Sequence, residues 1–72
     1  MPKNPQVFYP ESILELARKN ALEMINSGES FRTIQFGRDS GSFYLSDDKS
    51  KVIGDKYVEV DGKKFHLGIF KK

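Results

Sequence analysis

The 72-residue chain contains no cysteine and no tryptophan, and His66 is its only histidine. The absence of cysteine excludes a disulfide framework and a zinc site with thiolate ligands. A single histidine cannot form a histidine-rich zinc site, so we expect neither a metal nor another cofactor. The packing of one small core must therefore stabilise the chain, and we expect a net stability of roughly 3–5 kcal/mol.

Long hydrophobic runs are also absent from the sequence. No apolar stretch approaches the ~20 residues that span a bilayer, and residues 1–5 have no apolar run behind their positive charge, as a signal peptide would. We therefore expect a soluble protein with no membrane partner. Its expected location is the cytoplasm, or the host cytoplasm if the chain is virus-encoded, which agrees with a cysteine-free composition.

The net charge of +2 is small, but the positive charge is concentrated toward the C-terminus. Residues 63–72 contain four lysines and no acidic residue. This gradient is compatible with an anionic partner. Lysines also protect exposed edge strands from pairing with other chains, so the gradient has a second, purely structural explanation.

The N-terminal part of the sequence predicts an extended arm followed by one amphipathic helix. Residues 1–9 contain two of the three prolines and no apolar period, whereas residues 10–27 follow a helical period. Pro10 suits the first helical position, and Gly28 suits the left-handed residue that ends a helix. The apolar stripe consists of Ile13, Leu14, Ala17, Ala21, Met24 and Ile25.

After Gly28 the apolar period changes from helical to alternating, which predicts strands. We expect short strands over 31–36, 42–45 and 51–53, with Gly54–Asp55 as a turn, and a hairpin over 57–70. The fold class is therefore α+β, with the N-terminal helix packed on a four- to five-stranded antiparallel meander. No linker or repeat divides the chain, so residues 1–72 are expected to form one domain.

The hairpin has the strongest local signal, because Asp61-Gly62 is typical of a two-residue type I′ turn. A turn at this position pairs Val58 with Phe65, and both side chains then face the helix. The same register places Glu59 opposite Lys64 on the other face, as a favourable cross-strand pair of opposite charge.

No set of side chains has the spacing of a catalytic site. His66 could join a serine with Asp55 or Asp61, but nothing in the spacing favours such a triad. The glycine-bracketed loop over 36–42 could bind an anion, but no helix follows it, so it matches neither a P-loop nor a dinucleotide fingerprint. We therefore expect that the protein is not an enzyme.

The most informative surface is the sheet face that points away from the helix. Aromatic rings beside lysines and a histidine suit a protein interface, and they also suit the stacking of unpaired bases. We expect a partner-binding surface there. Its centre comprises Tyr44, Tyr57, Lys64, His66 and Phe70, and its rim comprises Arg32 and Arg38.

Three interpretations of this face remain open at the sequence level. The first is a binding module that regulates a larger protein by contact, and the second is a nucleic-acid-binding hairpin. In the third, the arm folds back so that Phe8 and Tyr9 cover part of the face. We expect a monomer or a weak homodimer. The nucleic-acid alternative would use Lys63, Lys64, Lys71 and Lys72.

In size and general style, the chain is similar to small accessory proteins of phages and mobile elements. Such proteins often act as regulators or inhibitors by docking on a larger host machine, such as a polymerase or a nuclease. The similarity involves no motif, so it assigns no role to any residue.

Overall fold

The computed structural model describes residues 9–35 and 42–71. One helix packs on one face of a four-stranded antiparallel sheet, which confirms the expected α+β class. In chain order, the elements are helix α1 (Glu11–Ser27), strands β1 (Phe31–Gln35) and β2 (Ser42–Ser46), a 3₁₀ turn (Lys49–Lys51), and strands β3 (Val52–Val60) and β4 (Lys63–Phe70).

Helix α1 begins one residue after the predicted start, so Pro10 is its N-cap and not its first residue, and it ends before Gly28 as predicted. Pro10 is extended and stands just before the first helical residue, and its carbonyl oxygen accepts the N–H of Ile13 at 3.1 Å. Gly28 adopts a left-handed φ of 79°, and its N–H donates to the carbonyl of Met24 at 2.8 Å. This hydrogen bond satisfies a carbonyl that has no partner within the helix.

The core lies between α1 and one face of the sheet. Four helix residues at helical spacing, Ile13, Ala17, Ala21 and Met24, are fully buried, whereas Leu14 and Ile25 are only partly buried. The helix stripe is therefore narrower than the sequence period predicts. Its counterpart on the sheet consists of Ile34, Phe43, Leu45, Val58, Phe65 and Leu67.

The strand order is β1-β2-β4-β3, which differs from a sequential meander. Strand β4 lies between β2 and β3, so β1 and β3 form the two edges of the sheet. The connection with the 3₁₀ turn places β3 one strand position away from β2. The hairpin then places β4 in the position between β2 and β3. This position buries both Phe65 and Leu67, which are among the most deeply buried side chains of the sheet.

Strand β3 is continuous, whereas the sequence predicted two pieces separated by a turn at Gly54–Asp55. Ile53 pairs with Ile69 and Lys56 pairs with Leu67, so two residues of β3 face the single residue Gly68 of β4. This mismatch is a β-bulge. Gly54 and Asp55 therefore belong to a bulge inside the strand, and the predicted turn at this position is wrong.

The predicted hairpin register is confirmed residue by residue. Val58 pairs with Phe65, and Glu59 pairs with Lys64. Asp61 and Gly62 have φ values of 55° and 78°, as a type I′ turn requires at both central positions.

Candidate binding face on the sheet

The sheet face opposite α1 carries the side chains that the sequence predicted for it. Along each strand, residues of this face alternate with the buried residues that contact the helix. We call this surface the distal face and define its centre by the five predicted residues, which lie on three neighbouring strands. These residues are Tyr44, Tyr57, Lys64, His66 and Phe70.

Two aromatic pairs form the body of the distal face. The rings of Tyr44 and Phe70 have centroids 4.8 Å apart, and those of Tyr57 and His66 are 5.8 Å apart. Tyr44 stands directly opposite Gly68, which has no side chain, so its ring contacts the next residue of β4 on the same face, Phe70. These tilted arrangements are favourable for aromatic rings.

Lys64 adds a positive charge to this aromatic surface. Its Nζ lies 5.0 Å from the centroid of the Tyr57 ring, within the range of a cation–π contact. Tyr57 and Phe70 each keep 48% of their surface exposed. The face therefore presents apolar ring surface and a cation side by side.

His66 lies in a positive environment. Partial burial lowers the pKa of its imidazole, and the charges of Lys49 and Lys64 lower that pKa further, while Asp48 opposes them. These effects favour the neutral form of the imidazole. The sequence analysis missed Lys49, because its proximity to His66 depends on how the connection between β2 and β3 packs, which no local pattern shows.

The connection over residues 47–51 closes one end of the distal face. Ser46, which stands opposite His66, is almost fully buried, and its Oγ accepts the N–H of Asp48 at 3.0 Å. The carboxylate of Asp48 in turn accepts the N–H and the hydroxyl of Ser50, at 3.0 and 2.8 Å. These hydrogen bonds lower the pKa of Asp48 and keep its carboxylate engaged.

The structure does not place Arg32 at the rim of the distal face. Arg32 stands opposite the buried Leu45 and lies on the helix side of the sheet, where its Nε donates to Glu29 at 2.8 Å. Its Nη1 also contacts Asn20 and forms an ion pair with Glu23, both on α1. Arg32 therefore connects β1 to the helix. Arg38, the other predicted rim residue, lies outside the described residues.

The lysines of the nucleic-acid alternative do not form one patch among the described residues. Lys63 and Lys64 are adjacent in β4, so their side chains leave opposite faces of the strand. The Nζ of Lys63 lies 3.9 Å from Asp47 and 5.8 Å from the ring of Phe65, a core residue. Lys71 is exposed beyond the end of β4, and Lys72 lies outside the described residues.

Tyr9 packs on the helix side and does not cover the distal face. Its hydroxyl donates to the carbonyl of Leu67 at 2.9 Å, and its ring lies 5.9 Å from that of Phe43. Burial raises the pKa of Tyr9, and the nearby charge of Asp55 raises it further. The interpretation in which Tyr9 covers part of the distal face is therefore wrong, and Phe8 lies outside the described residues.

Phe31 is a second residue that the sequence analysis did not assign to this surface. It is half exposed at the start of β1, opposite Ser46, and strand alternation places it on the side away from Arg32. The signal available in the sequence was an apolar residue at the start of a predicted strand. Phe31 extends the apolar surface toward the edge of the sheet.

Neither a metal-ion cluster nor a membrane-spanning helix is found among the described residues. Within residues 9–35 and 42–71, no cluster of three or more acidic, histidine or cysteine side chains could hold a metal ion. Over the same residues, no helix has the length and apolar character to cross a membrane. No protein-family model matches the chain, and comparisons with curated proteins and with solved structures find no significant match.

Proposed function

We propose that this domain is a non-enzymatic binding module that docks through its distal face on a larger protein and regulates it by contact. The observation that supports the proposal is the pair of aromatic contacts, Tyr44 with Phe70 and Tyr57 with His66, on a sheet face opposite the helix. Tyrosine and phenylalanine are enriched at protein interfaces, and tyrosine is among the residues that dominate binding energy there.

The distal face suits binding because its aromatic side chains are held on strands. Tyr57 and Phe70 are half exposed, so each can bury further apolar surface against a partner. Their backbones are already fixed by the ladder between β3 and β4, which reduces the entropy that association must cost. Loss of one central aromatic residue is expected to weaken binding by about 2 kcal/mol, or roughly thirtyfold.

The similarity of the chain in size and general style to small accessory proteins of phages suggests where such a binding module would act. A small accessory protein of the phage type would act in the cytoplasm on a host machine such as a polymerase or a nuclease, as a regulator or an inhibitor. A single contact face on a small, rigid domain is sufficient for such a role.

Nucleic acid is the second candidate partner, and the contact between Lys64 and Tyr57 favours it, because a base could stack on the ring while the ammonium binds a phosphate. Two carboxylates oppose it. Glu59 stands opposite Lys64 in the ladder, and Asp48 lies close enough to His66 to influence its pKa. A polyanion would approach both carboxylates, whereas a protein partner can complement a face of mixed charge.

The test is a pull-down from cell lysate with the purified domain as bait, with and without nuclease. The proposal expects one stoichiometric protein that survives nuclease and moderate salt and is lost with the double variant Tyr57→Ala/Phe70→Ala. Leu22→Ala is the matched control, because Leu22 is 46% exposed on α1, on the far side of the domain.

Circular dichroism must show that the double variant remains folded. Recovery of nucleic acid, or a loss of binding after nuclease, would contradict the proposal and support the second candidate. In that case affinity should fall with salt with a log–log slope of about −0.7 per neutralised phosphate on single strands. Equal loss of binding with Leu22→Ala would show that the distal face is not the contact surface.

A further inference from the structure

Two lysines lie at the corner of the distal face around His66. Lys64 lies on β4, two residues before His66, and Lys49 approaches from the 3₁₀ turn. Among the described residues, neither lysine forms an ion pair, and Lys64 lies over the Tyr57 ring instead. We call Lys49, Lys64 and His66 the cationic corner.

One acidic group at this corner, Asp48, is already engaged. Its carboxylate accepts two hydrogen bonds from Ser50, and it forms no ion pair with either lysine. Both lysines lower the pKa of His66, and the effect of each exceeds the opposing effect of Asp48. The two lysines therefore favour an anion beside the imidazole.

The other residues of the distal face restrict the class of molecule that can carry the anion. The apolar contact between Tyr44 and Phe70 lies on the same face, beside the cationic corner. A second copy of this chain would bring lysines against lysines. A phosphate backbone offers no apolar side chains to cover the rings.

We infer that the partner of the distal face presents an acidic protein segment, with a carboxylate bound among Lys49, Lys64 and His66 and apolar side chains covering Tyr44 and Phe70. This inference rests on the proposed function and specifies the chemistry of the partner. The carboxylate meets two ammonium groups and accepts a hydrogen bond from the imidazole.

This arrangement makes binding depend on pH in a defined direction. The charged groups around His66 are Lys49 and Asp48 from the 3₁₀ turn and its N-cap, Lys64 from its own strand, and Glu59 of β3, which stands opposite Lys64; Tyr57 also packs on His66 from β3. A bound carboxylate favours the imidazolium, so the complex takes up a proton more readily than the free domain. Binding therefore tightens as the pH falls from 7.5 to 6.0, a range in which glutamate carboxylates stay ionised.

The test is an NMR titration of the ¹⁵N-labelled domain with a short synthetic peptide of repeated Glu-Glu-Phe. The same peptide with glutamine in place of glutamate is the control for charge, and a ten-nucleotide oligothymidylate tests the nucleic-acid source of anions. We expect chemical-shift changes at the cationic corner and at Phe70 with the acidic peptide, and much smaller changes with the two other probes.

Variants of the adjacent lysines provide the sharpest comparison. Lys64→Gln should weaken binding of the acidic peptide by about two- to fivefold, as loss of one exposed charge pair does. Lys63→Gln changes the net charge equally but lies on the opposite face of β4, so it should leave the affinity unchanged. His66→Gln should abolish the tightening between pH 7.5 and 6.0.

Equal effects of the two lysine variants, equal binding of the glutamine peptide, no binding of the acidic peptide, or preferential binding of oligothymidylate would each overturn the inference. These outcomes are separable from failure of the proposed function. A lysate partner that is lost with Tyr57→Ala/Phe70→Ala but retained by Lys64→Gln would leave the binding module intact and refute its acidic partner.

Discussion

Two phenylalanines on the same strand should differ sharply in their contribution to stability. Phe65 is 1% exposed in the core, whereas Phe70 is 48% exposed on the distal face. Truncation of a fully buried phenylalanine to alanine costs about 3–5 kcal/mol, because transfer and cavity terms add. A domain of this size has a net stability of about the same magnitude, so Phe65→Ala should be largely unfolded even without denaturant.

The expected cost at Phe70 follows from its half-exposed ring. Full burial of such a side chain stabilises by about 1.5–3 kcal/mol, so half burial corresponds to about 1 kcal/mol. Loss of the contact with the Tyr44 ring adds about 0.5–1.5 kcal/mol. Phe70→Ala should therefore stay folded and lose about 1.5–2.5 kcal/mol of unfolding free energy.

Circular dichroism without denaturant shows whether Phe65→Ala is unfolded, and urea denaturation measures the loss in Phe70→Ala. Phe65→Leu supplies a core variant mild enough for a full urea transition. Each variant should be compared with the wild type at two protein concentrations, because self-association would make the midpoint depend on concentration. If Phe70→Ala is as destabilising as Phe65→Ala, the distal face is buried in solution. The assignment of that face to partner binding would then be wrong.

Three further predictions concern backbone, pH and charge. Gly28 and Gly62 have φ values of 79° and 78° with open space around the missing Cβ, so alanine at either should cost about 1 kcal/mol in urea denaturation; a much larger loss at one would reveal a steric cause. The lowered pKa of His66 means that the unfolded chain binds more protons between that pKa and the ordinary value near 6.5. Stability should therefore fall as the pH drops through this window, and thermal melts of His66→Gln should lack the fall; an unchanged slope would refute the assignment. Arg32→Met should lower the melting temperature by breaking its ion pairs, including that with Glu29, and high salt should reduce the difference; a salt-independent difference would show that packing dominates.

The hairpin could be predicted from the sequence because its signals are local. Asp61-Gly62 determines the turn type, and the turn type determines the pairings next to it, from Val60 with Lys63 to Tyr57 with His66. Gly54-Asp55 was interpreted wrongly because its structure depends on a residue far away in the sequence. The same dipeptide suits a turn or a bulge, and the choice depends on Gly68 of another strand, where the ladder has one residue fewer.

Alternation along strands predicts which face a residue occupies, but not which strands are neighbours. This explains why the five central residues of the distal face were predicted correctly to share it, while the position of β4 between β2 and β3 was not foreseen. Arg32 was misplaced although alternation with the core residue Ile34, two residues later, puts it on the helix side, where it contacts Glu23 and Asn20 of α1. Lys49 was missed because the chain must cross the end of the sheet before this residue comes close to His66.

Gly68 connects the fold of the domain to its proposed function. An ideal Cβ at this position would collide with the carbonyl group of Ile53, with the carbonyl carbon 2.8 Å away, so the absence of a side chain permits the bulge in β3. The same absence leaves the space above β4 in which the rings of Tyr44 and Phe70 meet. The backbone geometry at Gly68 therefore contributes to the placement of these two rings. Because the core lies on the other side of the sheet, changes to the exposed residues of the distal face should cost less stability than changes to core residues, provided that Gly68 is retained.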